Sequence, residues 1–130
     1  MGTQNNEKLK ELNIGYFGAS TGAAAALVAA SELENIRAIV SRGGRPDLAA
    51  NHLEKIHAPT LLIVGELDNF VIDSNQEALQ LINARKKLMV IEGATHLFTE
   101  PGTLEKVSEY SKRWFIKYLR NESQTALDKM

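Results

Sequence analysis

The sequence contains no cysteine. That absence excludes disulfide cross-links, zinc sites built on thiolates and a cysteine nucleophile, and it fits a reducing compartment, so a cytoplasmic location is expected. An excess of either charge is also missing: 15 Lys and Arg stand against 16 Asp and Glu, a formal net charge of −1. With no basic stripe to offset that balance, neither nucleic acid nor an anionic membrane is an expected partner. Long apolar runs are lacking too. The longest, around Ala23 to Ala30, falls far short of the ~20 residues that span a bilayer. The opening MGTQNNEKLK has no apolar stretch of the signal-peptide kind, and Asn6 stands where a myristoylation signal needs Ser or Thr.

What is present suits one soluble domain. A chain of 130 residues supports a single core that buries about two thirds of the unfolded surface, so residues 1–130 are read as one unit. Four short runs are apolar nearly throughout: Ile14 to Phe17, Ile36 to Val40, Thr60 to Val64 and Leu88 to Ile91. Strands covered on both faces read this way, which implies a parallel sheet. Helical patterns separate them. Thr21 to Leu33 is alanine-rich, and Asp47 to Ile56 is a weaker helix. Ser74-Asn75-Gln76-Glu77 has capping-box spacing and predicts a helix from about Asn75 to Ala84, with Asp73 near its N-terminus. Pro101 marks the first turn of a last helix, which presents Leu104, Val107, Trp114, Phe115, Tyr118 and Leu119 on one stripe. Strand and helix thus alternate four times. The predicted fold is α/β, an open, mainly parallel four-stranded sheet with helices on both faces. Residues 1–13 read as a helix remnant and residues 121–130 as a frayed tail.

Open α/β sheets bind ligands beyond the carboxyl ends of their strands. The residues placed there are Ser20 after the first run, Ser41-Arg42-Gly43-Gly44-Arg45 after the second, Gly65-Glu66-Leu67-Asp68 after the third and Gly93-Ala94-Thr95-His96 after the fourth. Serine, aspartate and histidine fall on one edge in that chain order. Gly18-Ala19-Ser20-Thr21-Gly22 has the G-x-S-x-G spacing, in which Gly18 and Gly22 leave room for a sharp strand-to-helix turn that exposes Ser20. The same five residues also fit a plain small-residue turn. Serine needs a base within hydrogen-bond reach. His96 directly follows a strand, whereas His52 and His57 lie off that edge and, with no further ligands around them, suggest neither a metal site nor a cofactor. A carboxylate must orient the imidazole; Asp68 is the best placed and Glu66 the runner-up, although a turn aspartate of Asp68's kind often bonds only its own backbone. The Thr21 backbone N–H, at a helix start, is the candidate oxyanion donor. Arg42 and Arg45 could hold a substrate carboxylate, or could be solvated loop residues. Glu100 reads as a charge at a helix N-terminus.

With those residues in view, the sequence resembles the C-terminal half of an α/β-hydrolase, closest to the dienelactone hydrolase-like branch. The likeness runs from about Ile14 to Phe115 and is carried by IGYFGASTGAAAAL, RAIVSRGGRPDL, APTLLIVGELDNFV and GATHLFTEPGTLE. It implies Ser20 as nucleophile, Asp68 as acid and His96 as base. Dienelactone hydrolases proper carry cysteine at the nucleophile position, so Ser20 moves the expectation toward a serine esterase. The resemblance also implies several strands ahead of the nucleophile strand, one of whose loops gives a second oxyanion N–H; only residues 1–13 precede Ile14 in this sequence. Two consequences are expected. The nucleophile strand leaves an apolar edge that favours a homodimer or higher oligomer, and a missing oxyanion donor lowers turnover by ~10²- to 10³-fold unless a neighbouring subunit, Arg42 or Arg45 replaces it. The expected activity is cleavage of small carboxylic esters through an acyl-enzyme. The competing reading is a non-catalytic assembly domain, or a fragment of a longer hydrolase, that keeps the Ser-His-Asp arrangement.

Overall fold

β-branched and aliphatic residues that alternate between two covered faces need a sheet with helices on each side, and the chain supplies both. The structure, a computed structural model, describes residues 14–33 and 35–119; the expected helix remnant at residues 1–13 and the tail at 121–130 lie outside the described residues. Strands β1 (Ile14–Ala19), β2 (Ile36–Arg42), β3 (Thr60–Gly65) and β4 (Lys86–Ile91) form one parallel sheet in the order β1-β2-β3-β4. β3 is buried at every position, which is why its sequence, TLLIVG, shows no polar alternation. Among the described residues β1 and β4 are the two edges. β4 opens on the exposed pair Lys86-Lys87, charges that discourage further strand pairing, whereas β1 leaves Phe17 50% exposed.

Among the described residues the helices are α1 (Thr21–Glu32), α2 (Asn69–Leu81) and α3 (Thr103–Tyr118), and a 3-10 segment spans Pro46–Lys55. Right-handed crossovers between strands in sequential order put every connection on the same face of the sheet. α1, the 3-10 segment and α2 accordingly share one core, with Leu27, Ile39, Leu53, Ile56, Leu62 and Ile82 fully buried. Each such side chain contributes roughly 1.5–3 kcal/mol by leaving water. The alanines of α1 serve this layer: Ala23, Ala24 and Ala30 are buried, and their short side chains let the helix lie close to the strands. The chain after β4 turns to the opposite face, where Val107 of α3 and Phe98 of the turn before it cover Val40, Leu61, Ile63 and Ile91. Trp114 fastens that helix, its Nε1–H donating to Pro59 O at 3.1 Å just before β3.

Local readings differ from the structure in three places. The second crossover is a 3-10 segment rather than an α-helix; Asp47, Asn51 and His52 are weak helix formers, and Ala49 leaves helical geometry at φ −110°, ψ 18°. α2 starts at Asn69, about one and a half turns before the predicted capping box. A tight turn closed by Asp68 N–H to Gly65 O (3.0 Å) leads straight into the helix, whose first turn buries Val71. Asp73 and Ser74 therefore lie inside α2, and the Ser74 hydroxyl donates to Val71 O at 3.1 Å instead of capping a helix start. Finally, α3 starts after Pro101, at Thr103, with Gly102 at φ 81° as its cap position, and Leu104 on the expected stripe is 51% exposed.

Candidate functional site

β1 runs into α1 without a loop, so a single residue must reverse the chain. Ser20 does so at φ 52°, ψ −124°, a conformation that costs a residue with a side chain ~1–3 kcal/mol. Neighbouring hydrogen bonds hold it there: Ser20 N–H donates to Arg42 O at 3.1 Å, and Ser20 O accepts from Ala23 N–H at 3.2 Å. The two flanking glycines are not equivalent. A Cβ on Gly18 would lie 2.6 Å from Ala23 Cα and 2.7 Å from Gly22 O, whereas one on Gly22 would meet nothing within 4 Å. Only Gly18 makes room for the turn, which corrects the symmetric reading of the pair. Thr21 is the first residue of α1, and its N–H has no carbonyl one turn earlier within the helix.

The other two candidates meet Ser20 across the carboxyl edge of the sheet. Ser20 Oγ lies 3.0 Å from His96 Nε2, and His96 Nδ1 lies 2.7 Å from Asp68 Oδ2. An ionised carboxylate only accepts, so Nδ1 carries the hydrogen toward Asp68 and Nε2 is left to accept from the serine hydroxyl. The imidazole faces solvent with its side chain 39% exposed; the aspartate behind it is 16% exposed. Asp68 occupies the cap position of α2 but makes no capping bond, its carboxylate being directed to His96 instead. In this geometry a hydroxyl, an imidazole and a carboxylate are linked in one hydrogen-bonded chain.

The loops that carry Asp68 and His96 are tied to each other. Glu66 N–H donates to Ile91 O, Leu67 N–H donates to Ala94 O, both at 3.0 Å, and the Glu66 carboxylate accepts from Gly93 N–H at 3.1 Å. Glu66, the runner-up for the acid, thus staples β3's loop to β4's loop and does not touch His96. Glu100 accepts from Thr95 twice, from the hydroxyl at 2.6 Å and from the N–H at 3.0 Å. These bonds, the hydroxyl's first, hold the Glu100 carboxyl below its ordinary range. It clamps the turn next to His96, a role that reading it as a helix-start charge missed; the only cue was its spacing from Thr95. Phe98 completes the turn. It is buried and takes φ 55°, an unusual conformation for a bulky residue, with its N–H donating to Thr95 O at 3.2 Å.

The two arginines divide. Arg45 donates from Nε and an Nη to the two oxygens of Asp47 at 3.0 and 2.9 Å, which raises the arginine and lowers the aspartate from their ordinary values. Its fork is occupied, and its guanidinium carbon lies 5.3 Å from the Phe70 ring centre. Arg42 lies 5.6 Å over Phe98 and lines a cavity of about 310 Å³ with Phe17, Leu104, Val107, Ser108 and Ser111. His52 Nδ1 lies 3.4 Å from Ser31 Oγ, far from the site in the fold, and His57 follows the 3-10 segment. Among the described residues no group of three or more His, Asp or Glu side chains could hold a metal ion, and no helix is long and apolar enough to cross a membrane.

Comparison with known proteins places this geometry in context. A dienelactone hydrolase from Anabaena variabilis superposes with a TM-score of 0.85 at 52% sequence identity, over 90% of this chain and 55% of that one. An esterase domain from a Rhodothermus marinus protein shares the fold at a TM-score of 0.73 and 20% identity, over 82% of this chain and 61% of that one. Two Mycobacterium tuberculosis strains carry a relative 58% identical over 109 residues, named "Putative phosphoribosyl transferase" in both. The match takes in 83% of this chain and 25% of the relative, so the chain spans about a quarter of these relatives and about half of the Anabaena protein. The model of the dienelactone hydrolase family matches residues 3–123, and the chain belongs to that family.

Proposed function

We propose that the chain is a serine hydrolase acting on small carboxylic esters, with Ser20 as nucleophile, His96 as general base and Asp68 as the group that orients it. The observation that carries this reading is the continuous chain from Ser20 Oγ to His96 Nε2 (3.0 Å) and from His96 Nδ1 to Asp68 (2.7 Å), with Ser20 held in a strained turn. Ser20 Oγ attacks the ester carbonyl carbon as its proton passes to His96 Nε2. The tetrahedral oxyanion is stabilised by Thr21 N–H at the start of α1. Collapse breaks the bond to the alkoxide, which takes the proton from Nε2, and leaves an acyl group on Ser20. Water, deprotonated by the same nitrogen, then releases the acid and restores the serine. Asp68 holds the productive tautomer and stabilises the imidazolium. The reaction calls on no cofactor.

The transferase named for the mycobacterial relatives is not carried over on this reading, because the chain spans about a quarter of those proteins and itself brings Ser20, His96 and Asp68 together. A fluorophosphonate probe followed by peptide mapping tests the proposal: Ser20 is expected to label, and labelling is expected to vanish in Ser20→Ala and His96→Ala. Folded protein that does not label sinks it. A second reading, association through the sheet edge, is favoured by one observation. β1 is an edge strand carrying Phe17 half exposed beside the apolar cavity it shares with Leu104 and Val107. On this view a second copy covers that edge as a homodimer, and Arg42, which lines the same cavity, is the arginine still able to face a substrate or an oxyanion there.

A further inference from the structure

Asn75 lies in α2, is completely buried, and keeps a polar side chain. Its Nδ2 donates to two carbonyls, Val71 O in its own helix at 2.8 Å and Gly44 O, far away in sequence, at 3.1 Å. Both partners are acceptors, so only one orientation of the amide satisfies them. That orientation leaves Oδ1 buried with no partner. A leucine of similar size would remove the orphaned Oδ1 but would take from the buried Gly44 carbonyl its side-chain donor, so the amide is there for the carbonyls it holds.

It holds the turn Arg42-Gly43-Gly44, which touches every element that carries a member of the Ser-His-Asp chain. Arg42 O accepts from Ser20 N–H at 3.1 Å, and Gly43 N–H donates at 2.7 Å to Ile63 O in β3, the strand that leads to Asp68. Gly43, at φ 54°, stands beside the imidazole: a Cβ added there would lie 3.4 Å from His96 Cε1 and Nδ1. Gly44 presses on the start of α1, where a Cβ would collide with Ala23 Cβ and with Ser41 Oγ. Asn75 itself stands on the helix whose cap position is Asp68.

We infer that Asn75 is a positioning residue for the reaction: through the Gly44 carbonyl it locks the Arg42–Gly44 turn against the His96 ring and the Ser20 turn, so that the imidazole keeps one orientation between Ser20 and Asp68. The inference rests on the proposed roles of Ser20 and His96, and deepens them. Asn75→Leu preserves size and removes both donors; Asn75→Asp preserves shape and turns an acceptor toward two carbonyls. Both are expected to slow fluorophosphonate labelling of Ser20 about 10-fold or more, as an ångström-scale misplacement does. They should lower kcat on p-nitrophenyl acetate with little change in KM, and shift or broaden the NMR signals of the His96 ring. Ala78→Gly, buried on the same helix, controls for stability: it should lower the melting temperature but leave labelling and ring signals unchanged. Folded Asn75→Leu with unaltered labelling and ring signals overturns the inference. Should neither variant fold, the wild type decides: nuclear Overhauser contacts from the Asn75 amide protons to Gly44, and from Gly43 to the His96 ring, are expected, and their absence overturns it. A wild type that does not label defeats the hydrolase reading instead, and the ring signals still report on Asn75.

Discussion

Gly18→Ala and Gly22→Ala are chemically the same change made four residues apart in one motif, and they should move the protein in opposite directions. At Gly18 the new methyl would stand 2.6, 2.7 and 2.8 Å from Ala23 Cα, Gly22 O and Ala23 N. Ordinary contact needs ~3.5–4.0 Å, so the shortfall is about 1 Å. All three atoms are backbone in the first turn of α1, and no rotamer change relieves them. The start of α1 or the Ser20 turn must shift. Overpacking of this kind costs about 1–3 kcal/mol, which for a domain of this size lowers the melting temperature by roughly 4–15 °C. A displacement of about 1 Å at Ser20 should also slow probe labelling by about 10²-fold. Gly22 is exposed, inside the first turn of α1, and open on the side where a Cβ would stand. Alanine there reduces the freedom of the unfolded chain and gains about 0.5–1 kcal/mol, so Gly22→Ala should melt a few degrees higher and label at the wild-type rate. Thermal unfolding by circular dichroism and the second-order labelling rate measure both effects. A Gly22→Ala protein as damaged as Gly18→Ala, or a Gly18→Ala protein with wild-type melting and labelling, would refute the steric account of the turn.

Asp68→Asn should keep the fold and reduce labelling of Ser20 by ~10³- to 10⁴-fold, because an amide at 2.7 Å from His96 Nδ1 no longer enforces the tautomer that leaves Nε2 free to accept; wild-type labelling would contradict the role given to Asp68. For Glu100 the folded carboxyl titrates below its ordinary 4.5, so its stabilising contribution is complete above that value and is lost as pH falls through the lower folded value. Melting temperatures of wild type and Glu100→Gln should therefore differ most above pH ~4.5 and converge at lower pH; a difference that is constant with pH would show that the Thr95 clamp is not ionic. Trp114→Phe should cost about 1 kcal/mol by removing the Nε1–H bond to Pro59 O, with labelling unchanged. Light scattering at micromolar concentration should show a dimer or larger species, and a monomer would remove the second-copy reading of the β1 edge.

Composition and periodicity carried the architecture because a sheet covered on both faces leaves a one-dimensional trace: four apolar runs with helical spacing between them, and any parallel pairing of those runs puts Ser20, Asp68 and His96 on one edge. The site's partners were legible for the same reason, since each stands within a few residues of a strand end. What stayed hidden depends on contacts between segments far apart in sequence. Ser74-Asn75-Gln76-Glu77 has the local pattern of a helix start, yet the turn closed at Gly65 and Asp68 starts α2 earlier, and the burial of Val71 stabilises that choice beyond what one cap could offer. The same early start puts Asp68 at the cap position and gives Asn75 a place inside the helix, one turn after Val71, from which it reaches Gly44. Had the helix begun at Asn75, the residue would be spent on its own backbone and the Arg42–Gly44 turn would lose its side-chain anchor. The misread boundary and the buried asparagine thus have one cause: the turn that joins β3 to α2 and the burial of Val71 start the helix early, so the local capping-box signal is overruled and Asn75 falls inside the helix.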